Sequence, residues 1–487
     1  SSTTCGHEDQ AGRPCPLRGP PAMPPDEEAL DALTVPLLAA RQKVADVGTP
    51  STAASLHCRL GASVDSLLPA AASPVTPQQQ RKPVGPGVLA TGANLTGAIF
   101  GAGILSMPYA FRIAGWAAAV AVVVVGCLTA STAVLITHCL ERALRVIPAR
   151  ERHGEPEDWP LIGYAALGPA GRRLVNGVFL TELYFILMAF LVVNGSNAQL
   201  LMPSISRSVH ISVSGVLSFA MLFFPFWVFS YFFAVGHIAM ATTIALMAIS
   251  GMQLPEFPDP SEYLWVRWEG LGQAVGILIF CNVAHGTVPS MYMPCSCKRR
   301  FPGITQAAFG VVAIVYILTG ASGYFFFGGA VQQNIVSNLG KDLAQAPLPG
   351  LESLSRIASV GFVVKLQTSF PMYATPLVNA AEAVLGLAQG SLMVMPRIGV
   401  RAVLMLGTTG LAVLLQDNMA DCIALTGSLL SMCTAIIFPS AFYFLLYRKE
   451  LSRVNVLLLA GTCAVGVYFQ ITGTRDSLFQ LFGGSGS

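Results

Sequence analysis

The run Thr91-Gly-Ala-Asn94-Leu-Thr96-Gly97-Ala-Ile-Phe-Gly101-Ala-Gly103-Ile-Leu-Ser-Met-Pro108-Tyr109 puts three glycines and a proline within twelve residues of an apolar stretch. One continuous helix will not hold there. A second run, Cys281-Asn282-Val-Ala284-His285-Gly286-Thr-Val-Pro289-Ser290, carries a similar break. Interrupting a helix frees backbone groups. The N–H groups that open the second half attract an anion such as a carboxylate. Here those donors are Ala102, Gly103 and Ile104, with Gly101 giving room for close approach. Carbonyls closing the first half, near Ala98 and Ile99, and those around Asn282 and Ala284 can accept from an ammonium group. Asn94, Thr96, Gly97 and Cys281 flank the breaks and complete the candidate substrate-binding set.

Ionisable residues inside apolar spans are costly, and each is a functional candidate. Lys365 has Thr368 and Ser369 one turn along, on roughly the same helix face. Glu182 is a potential partner for Lys365, although it lies closer to one end of its span. His285 sits in the second break and titrates near physiological pH, while His138 falls at a span end. Lys365, Thr368, Ser369, Glu182 and His285 form the candidate ion-coupling set. The chain carries no Gly-x-Ser-x-Gly, no phosphate loop and no paired carboxylates in a cleft, so neither an enzyme nor a cofactor is expected. Cys295-x-Cys297 is a weak metal signal, since zinc wants four ligands.

The elements that must position these residues follow from composition. Of 487 residues 53% are apolar and 11% charged, too few charges to cover a soluble protein of this size. The near balance of Lys+Arg (28) and Asp+Glu (25) argues against nucleic acid. This is an all-α polytopic membrane protein, with the lipid bilayer as its solvent. Apolar stretches able to cross a ~30 Å hydrocarbon core are drawn at 88–111, 114–140, 174–201, 211–230, 233–253, 270–292, 304–328, 354–384, 396–415, 420–447 and 452–473. The gap at 231–232 is the least marked of the boundaries.

Residues 1–83 hold Pro-Cys-Pro, Pro-Pro, an acidic patch (Asp26, Glu27, Glu28) and no aromatic residue; they read as a disordered cytosolic tail. Residues 84–473 form the membrane domain and 474–487 a short tail on the far side. Arg142, Arg145, Arg150, Arg152, Arg172, Arg173, Lys298, Arg299, Arg300, Arg397, Arg401, Arg448, Lys449 and Arg453 join the seven cations of the first tail on one side. Arg112, Arg207, Arg267, Lys341 and Arg475 lie on the other. The positive-inside rule therefore puts the N-terminus in the cytosol and the C-terminus outside or in a lumen.

Two broken spans, five helices apart, favour an inverted-repeat transporter: spans 1–5 and 6–10 are related halves, each beginning with its broken helix, and the eleventh is an addition. The residues also resemble a family. The run from Asn94 to Tyr109 looks like the first-helix signature of the amino acid/auxin permeases. Leu425-Thr-Gly-Ser-Leu-Leu with Ile437-Phe-Pro439-Ser440 is similar to their tenth. Val364-Lys365-Leu-Gln-Thr-Ser369-Phe-Pro371, with Glu382 beyond, resembles the eighth helix of the vesicular inhibitory amino acid carriers and their vacuolar relatives. The span holding Glu182 fits their third.

The resemblance covers about residues 85–473. It implies proton- or sodium-coupled amino acid transport on a LeuT-like 5+5 inverted repeat, in a vacuolar, lysosomal or vesicle membrane, with the plasma membrane as the alternative. In relatives with this fold a sodium ion sits between the first and eighth helices, held by carbonyls and hydroxyls; an ammonium at Lys365 could replace it, which points to protons as the coupled partner. No acid occurs in 88–111 or 270–292, so small or apolar neutral amino acids are expected as substrate. An amino acid sensor on the same fold, signalling through cytosolic partners of the tail, is the alternative; a sodium-coupled symporter is another. A channel is disfavoured, because paired broken helices suit occlusion better than a continuous pore.

Overall fold

A computed structural model describes residues 85–148, 150, 152, 157–224, 233–387 and 394–483. The expected N-terminal tail and the boundary between the fourth and fifth spans lie outside the described residues. All the regular structure described is helical.

The first span is bent by 54° at a two-residue break. Helix α1 (Val88–Ile99) stops where Phe100 turns out of the helical region, at φ −67°, ψ 89°. Gly101 is extended, a tight 3-10 turn runs over Ala102–Ser106, and α2 (Met107–Ala114) follows with Pro108 in its first turn. Proline is tolerated there because that N–H has no intrahelical partner. Gly115, at φ 75°, ends α2; a Cβ on it would stand 2.4 Å from the Leu264 carbonyl oxygen, so only glycine fits.

Next come α3 (Ala117–Val146) and α4 (Trp159–Leu201). Gly168 interrupts α4 at φ 66°, ψ −152°, just before Pro169. Proline bars its predecessor from the helical region, and the membrane-length part begins beyond this kink, near the expected 174. Then follow α5 (Arg207–Met221) and α6 (Phe233–Met252).

The stretch expected as the sixth span is interrupted in the same way as the first. Helix α7 (Trp268–Asn282) ends where Val283 turns to ψ 101°, a 3-10 turn covers His285–Thr287, and α8 (Val288–Tyr292) carries Pro289 in its first turn. Beyond lie α9 (Phe301–Phe327), α10 (Leu354–Val384) and α11 (Val394–Leu414). The stretch expected as the tenth span consists of α12 (Met419–Thr426), two π-helical turns at Gly427–Ser431 and Cys433–Ile437, and α13 (Phe438–Tyr447). Helix α14 (Arg453–Gly483) continues ten residues past the boundary expected at 473.

Among the described residues seven helical stretches are long and apolar enough to cross a membrane, those over 268–292 and 419–447 taken with their interruptions, or eight with the bent first pair counted as one. Helix α10 has the length but falls outside that set. Backbones approach closely through small residues, as apolar solvent requires of helix packing. A Cβ on Gly427 would lie 1.9 Å from the Gly276 carbonyl oxygen, which brings the π-helical tenth span against α7. Gly320 and Gly323 of α9 likewise make room for Phe111 and Pro108 of α2.

Candidate functional site

The end of α1 leaves the carbonyls of Ala98, Ile99 and Phe100 without helical partners, carrying the negative end of the helix dipole. Each finds a donor from another element. Tyr373 Oη of α10 donates to Ala98 O at 3.3 Å. Tyr316 Oη of α9 lies 3.2 Å from Ile99 O and 2.8 Å from Cys281 O, so one hydroxyl proton serves the ends of both first half-helices. The Lys365 ammonium donates to Phe100 O. Lys365 is buried on α10 and makes no ion pair among the described residues.

Glu182 and Lys365, weighed as potential partners, do not pair. Glu182, buried on α4, accepts instead from Thr434 Oγ1 at 3.1 Å. Thr434 stands on the second π-helical turn, a local widening that often marks functional sites. Thr368 Oγ1 bonds back to Val364 O and Lys365 O of its own helix, at 2.8 and 3.1 Å. Ser369 is buried beside it on α10.

Between these elements lies a cavity of about 540 Å³. Helix α1 lines it with Ala93, Asn94, Gly97 and Ala98; the second break adds Val283, Ala284, Gly286 and Thr287. Phe179, Glu182 and Ile186 come from α4, and Met372, Tyr373 and Pro376 from α10. Ser290 and Met291 of α8 and Asp158, just before α4, lie towards the loops rich in Arg and Lys. Asp158 and Glu182 are the charged residues of the lining. Asp158 caps α4 by accepting from Trp159 N at 2.8 Å. Burial holds its carboxyl above the usual carboxylate range, and that backbone N–H opposes the shift.

The structure thus brings Asn94, Gly97, Ala284 and Glu182 to one cavity and keeps other candidates out of it. Ala102, Gly103 and Ile104, expected as a carboxylate cradle, are buried against α7 with Gly101 at their entry. A Cβ on Gly103 would stand 2.3 Å from Cys281 Sγ and 3.1 Å from the Phe280 ring. Close packing of the two broken helices is what this glycine allows. Thr96 Oγ1 bonds back to Gly92 O and Ala93 O at 3.1 and 3.0 Å. Asn282 Nδ2 donates to Leu278 O at 2.8 Å, leaving a buried Oδ1 without a protein partner.

His285 packs away from the cavity. Its Nε2 donates to Thr129 O of α3 at 3.1 Å and sits 3.0 Å from Thr132 Oγ1, while its own carbonyl accepts from Trp159 Nε1 at 2.7 Å. Its Nδ1 has no protein partner. Tyr316, Tyr373, Thr434 and Asp158 were missed by sequence reasoning. Nothing local marks the tyrosines, because their partners lie far away in the chain; Thr434 does fall between the two tenth-span signatures.

Comparison with known proteins places this geometry. The profile described as transmembrane amino acid transporter protein matches residues 86–474. The amino acid transporter AVT1B of Arabidopsis thaliana is 25% identical over 401 residues, covering 80% of this chain and 70% of the relative. AVT1J of the same plant is 25% identical over 405 residues, with 79% and 89% covered. Among solved structures, a manganese transporter of Eremococcus coleocola aligns with a TM-score of 0.52 at 12% identity, covering 82% of this chain and 88% of that one. Mhp1 in an inward-facing conformation aligns at 0.50 and 13% identity, with 82% and 90% covered. These likenesses speak for the fold alone, a LeuT-like arrangement of helices. The chain is an integral multi-pass membrane protein and belongs to the transmembrane amino acid transporter family.

Proposed function

We propose that the protein is a secondary active carrier of small or apolar neutral amino acids, coupled to protons and working by alternating access across eleven spans. Its N-terminus would be cytosolic, and its membrane vacuolar, lysosomal or vesicular. The observation that carries the reading is the cavity walled by both broken helices and by the buried Glu182. Irregular backbone at membrane depth is tolerated where it lines such a space. The matching sequence of α-helix, 3-10 turn and proline-led helix in the first and sixth spans supports a 5+5 repeat with α14 added.

Lys365 supports proton over sodium coupling. Its ammonium already occupies a carbonyl at the end of α1, and Thr368 has turned its hydroxyl to its own helix. A sodium ion there would meet a fixed positive charge and too few free oxygens. Lys365 then stands in for the ion, and Glu182, facing the cavity, carries the proton. The same carboxylate gives a cationic side chain somewhere to bind, so lysine and arginine belong in any substrate screen.

Purified protein in liposomes, offered each common amino acid, separates a carrier from a sensor. A carrier accumulates label inside, whereas saturable binding without flux would support the sensor.

A further inference from the structure

The loop between α8 and α9 holds two thiols close together and fastens them to the base of α1. Cys295 Sγ and Cys297 Sγ are 3.2 Å apart. Cys297 N points at Cys295 Sγ from 3.4 Å, and Thr91 Oγ1 of α1 lies 3.6 Å from the same sulfur. Ser296 ties the loop down, donating to Pro86 O through its N–H at 3.2 Å and its hydroxyl at 3.0 Å. Cys295 is buried, while Cys297 is partly open to solvent.

Burial raises the Cys295 thiol, but donors from Thr91 and Cys297 and the nearby Lys298 ammonium bring it below the ordinary value; its hydrogen bond to Cys295 holds Cys297 above. The inner sulfur is therefore the more easily ionised of the two. No group of three or more metal-ligating side chains occurs among the described residues, so dithiol chemistry suits the pair better than a metal.

We propose that Cys295 and Cys297 form a redox-active dithiol that exchanges with low-molecular-weight disulfides and closes to an intramolecular disulfide, stiffening the loop that links α8 to the base of α1. Cys297, the accessible member, passes its proton to Cys295 and attacks one sulfur of the oxidant. Its S–S bond breaks, and the first thiolate leaves. Cys295 then returns its proton to solvent and attacks the Cys297 sulfur, expelling the second thiolate. The proton that Cys295 lost to solvent on ionising and the one it then returns there end on the two released thiols; the protein is oxidised by two electrons and the small disulfide is reduced.

Closing so short a loop gains little chain-entropy stabilisation, so a cellular dithiol reopens it readily. The consequence follows from position. Helices α1 and α8 both line the cavity, through Asn94 and Gly97 on one and Ser290 and Met291 on the other. Moving them relative to each other needs freedom in the loop between their bases, which a disulfide removes.

The test treats full-length protein in liposomes with glutathione disulfide, then alkylates, digests and weighs the peptide spanning 295–297. The expected result is a peptide two hydrogens lighter, restored by dithiothreitol, with slower amino acid uptake in the oxidised sample. Cys297→Ser and Cys295→Ser should each lose the mass change and the sensitivity of uptake. Alkylation of both thiols after oxidation would overturn the proposal. So would glutathione retained on Cys297, or a disulfide to Cys5, Cys15 or Cys58. An internal disulfide with unaltered uptake would overturn the link to α1. The mass readout holds whatever the protein transports.

Discussion

Lys365 caps a helix end, so its removal has a defined cost. Lys365→Ala leaves the Phe100 carbonyl buried without a donor, worth about 1–3 kcal/mol. The expected outcome is a lower melting temperature in detergent together with loss of gradient-driven uptake. Glu182 behaves differently. Glu182→Gln keeps the shape of the side chain and an acceptor for Thr434 but cannot cycle a proton. Exchange of labelled for unlabelled amino acid across the membrane should survive in this variant, while accumulation under a pH gradient should not. Loss of both activities in a stable protein would assign Glu182 to substrate binding instead. Lys365 and Glu182 stood out in the sequence because a charge inside an apolar span is conspicuous. That they take separate partners was not legible: Phe100 and Thr434 are more than two hundred residues from them, brought near only by packing.

The broken helices were legible for a different reason. Glycine and proline act locally, so Gly101 with Pro108, and Gly286 with Pro289, mark interruptions that appear within a few residues of those positions. Which face of the break meets the cavity was not. Gly103 supplies the test. Gly103→Ala should impair folding and uptake, because the new Cβ meets Cys281 Sγ, and Cys281→Ala in the same protein should restore much of both. A substrate cradle at Gly103 predicts no such rescue.

Asp158 tests the start of α4. Asp158→Ala removes the N-cap and should cost about 0.5–2 kcal/mol. Asp158→Asn keeps an acceptor. Since burial raises the folded carboxyl, its ionisation opposes folding at neutral pH. Asn should therefore match or exceed wild type in melting temperature at pH 7.5, and that advantage should vanish as pH falls below the folded value and Asp158 becomes neutral.

At the scale of the molecule, the two breaks are held as one unit by Tyr316, whose hydroxyl reaches a carbonyl at the end of each first half-helix. The family match spans nearly all of the membrane domain, and the cavity sits where those half-helices end. A carrier that uses this cavity with protons must respond to one gradient and ignore another. The most direct measurement is uptake of a transported amino acid into proteoliposomes under an imposed pH gradient, an imposed sodium gradient, or neither. Accumulation that follows the pH gradient, and is unchanged when potassium replaces sodium, is the predicted result. Accumulation that follows sodium and ignores pH would contradict the account.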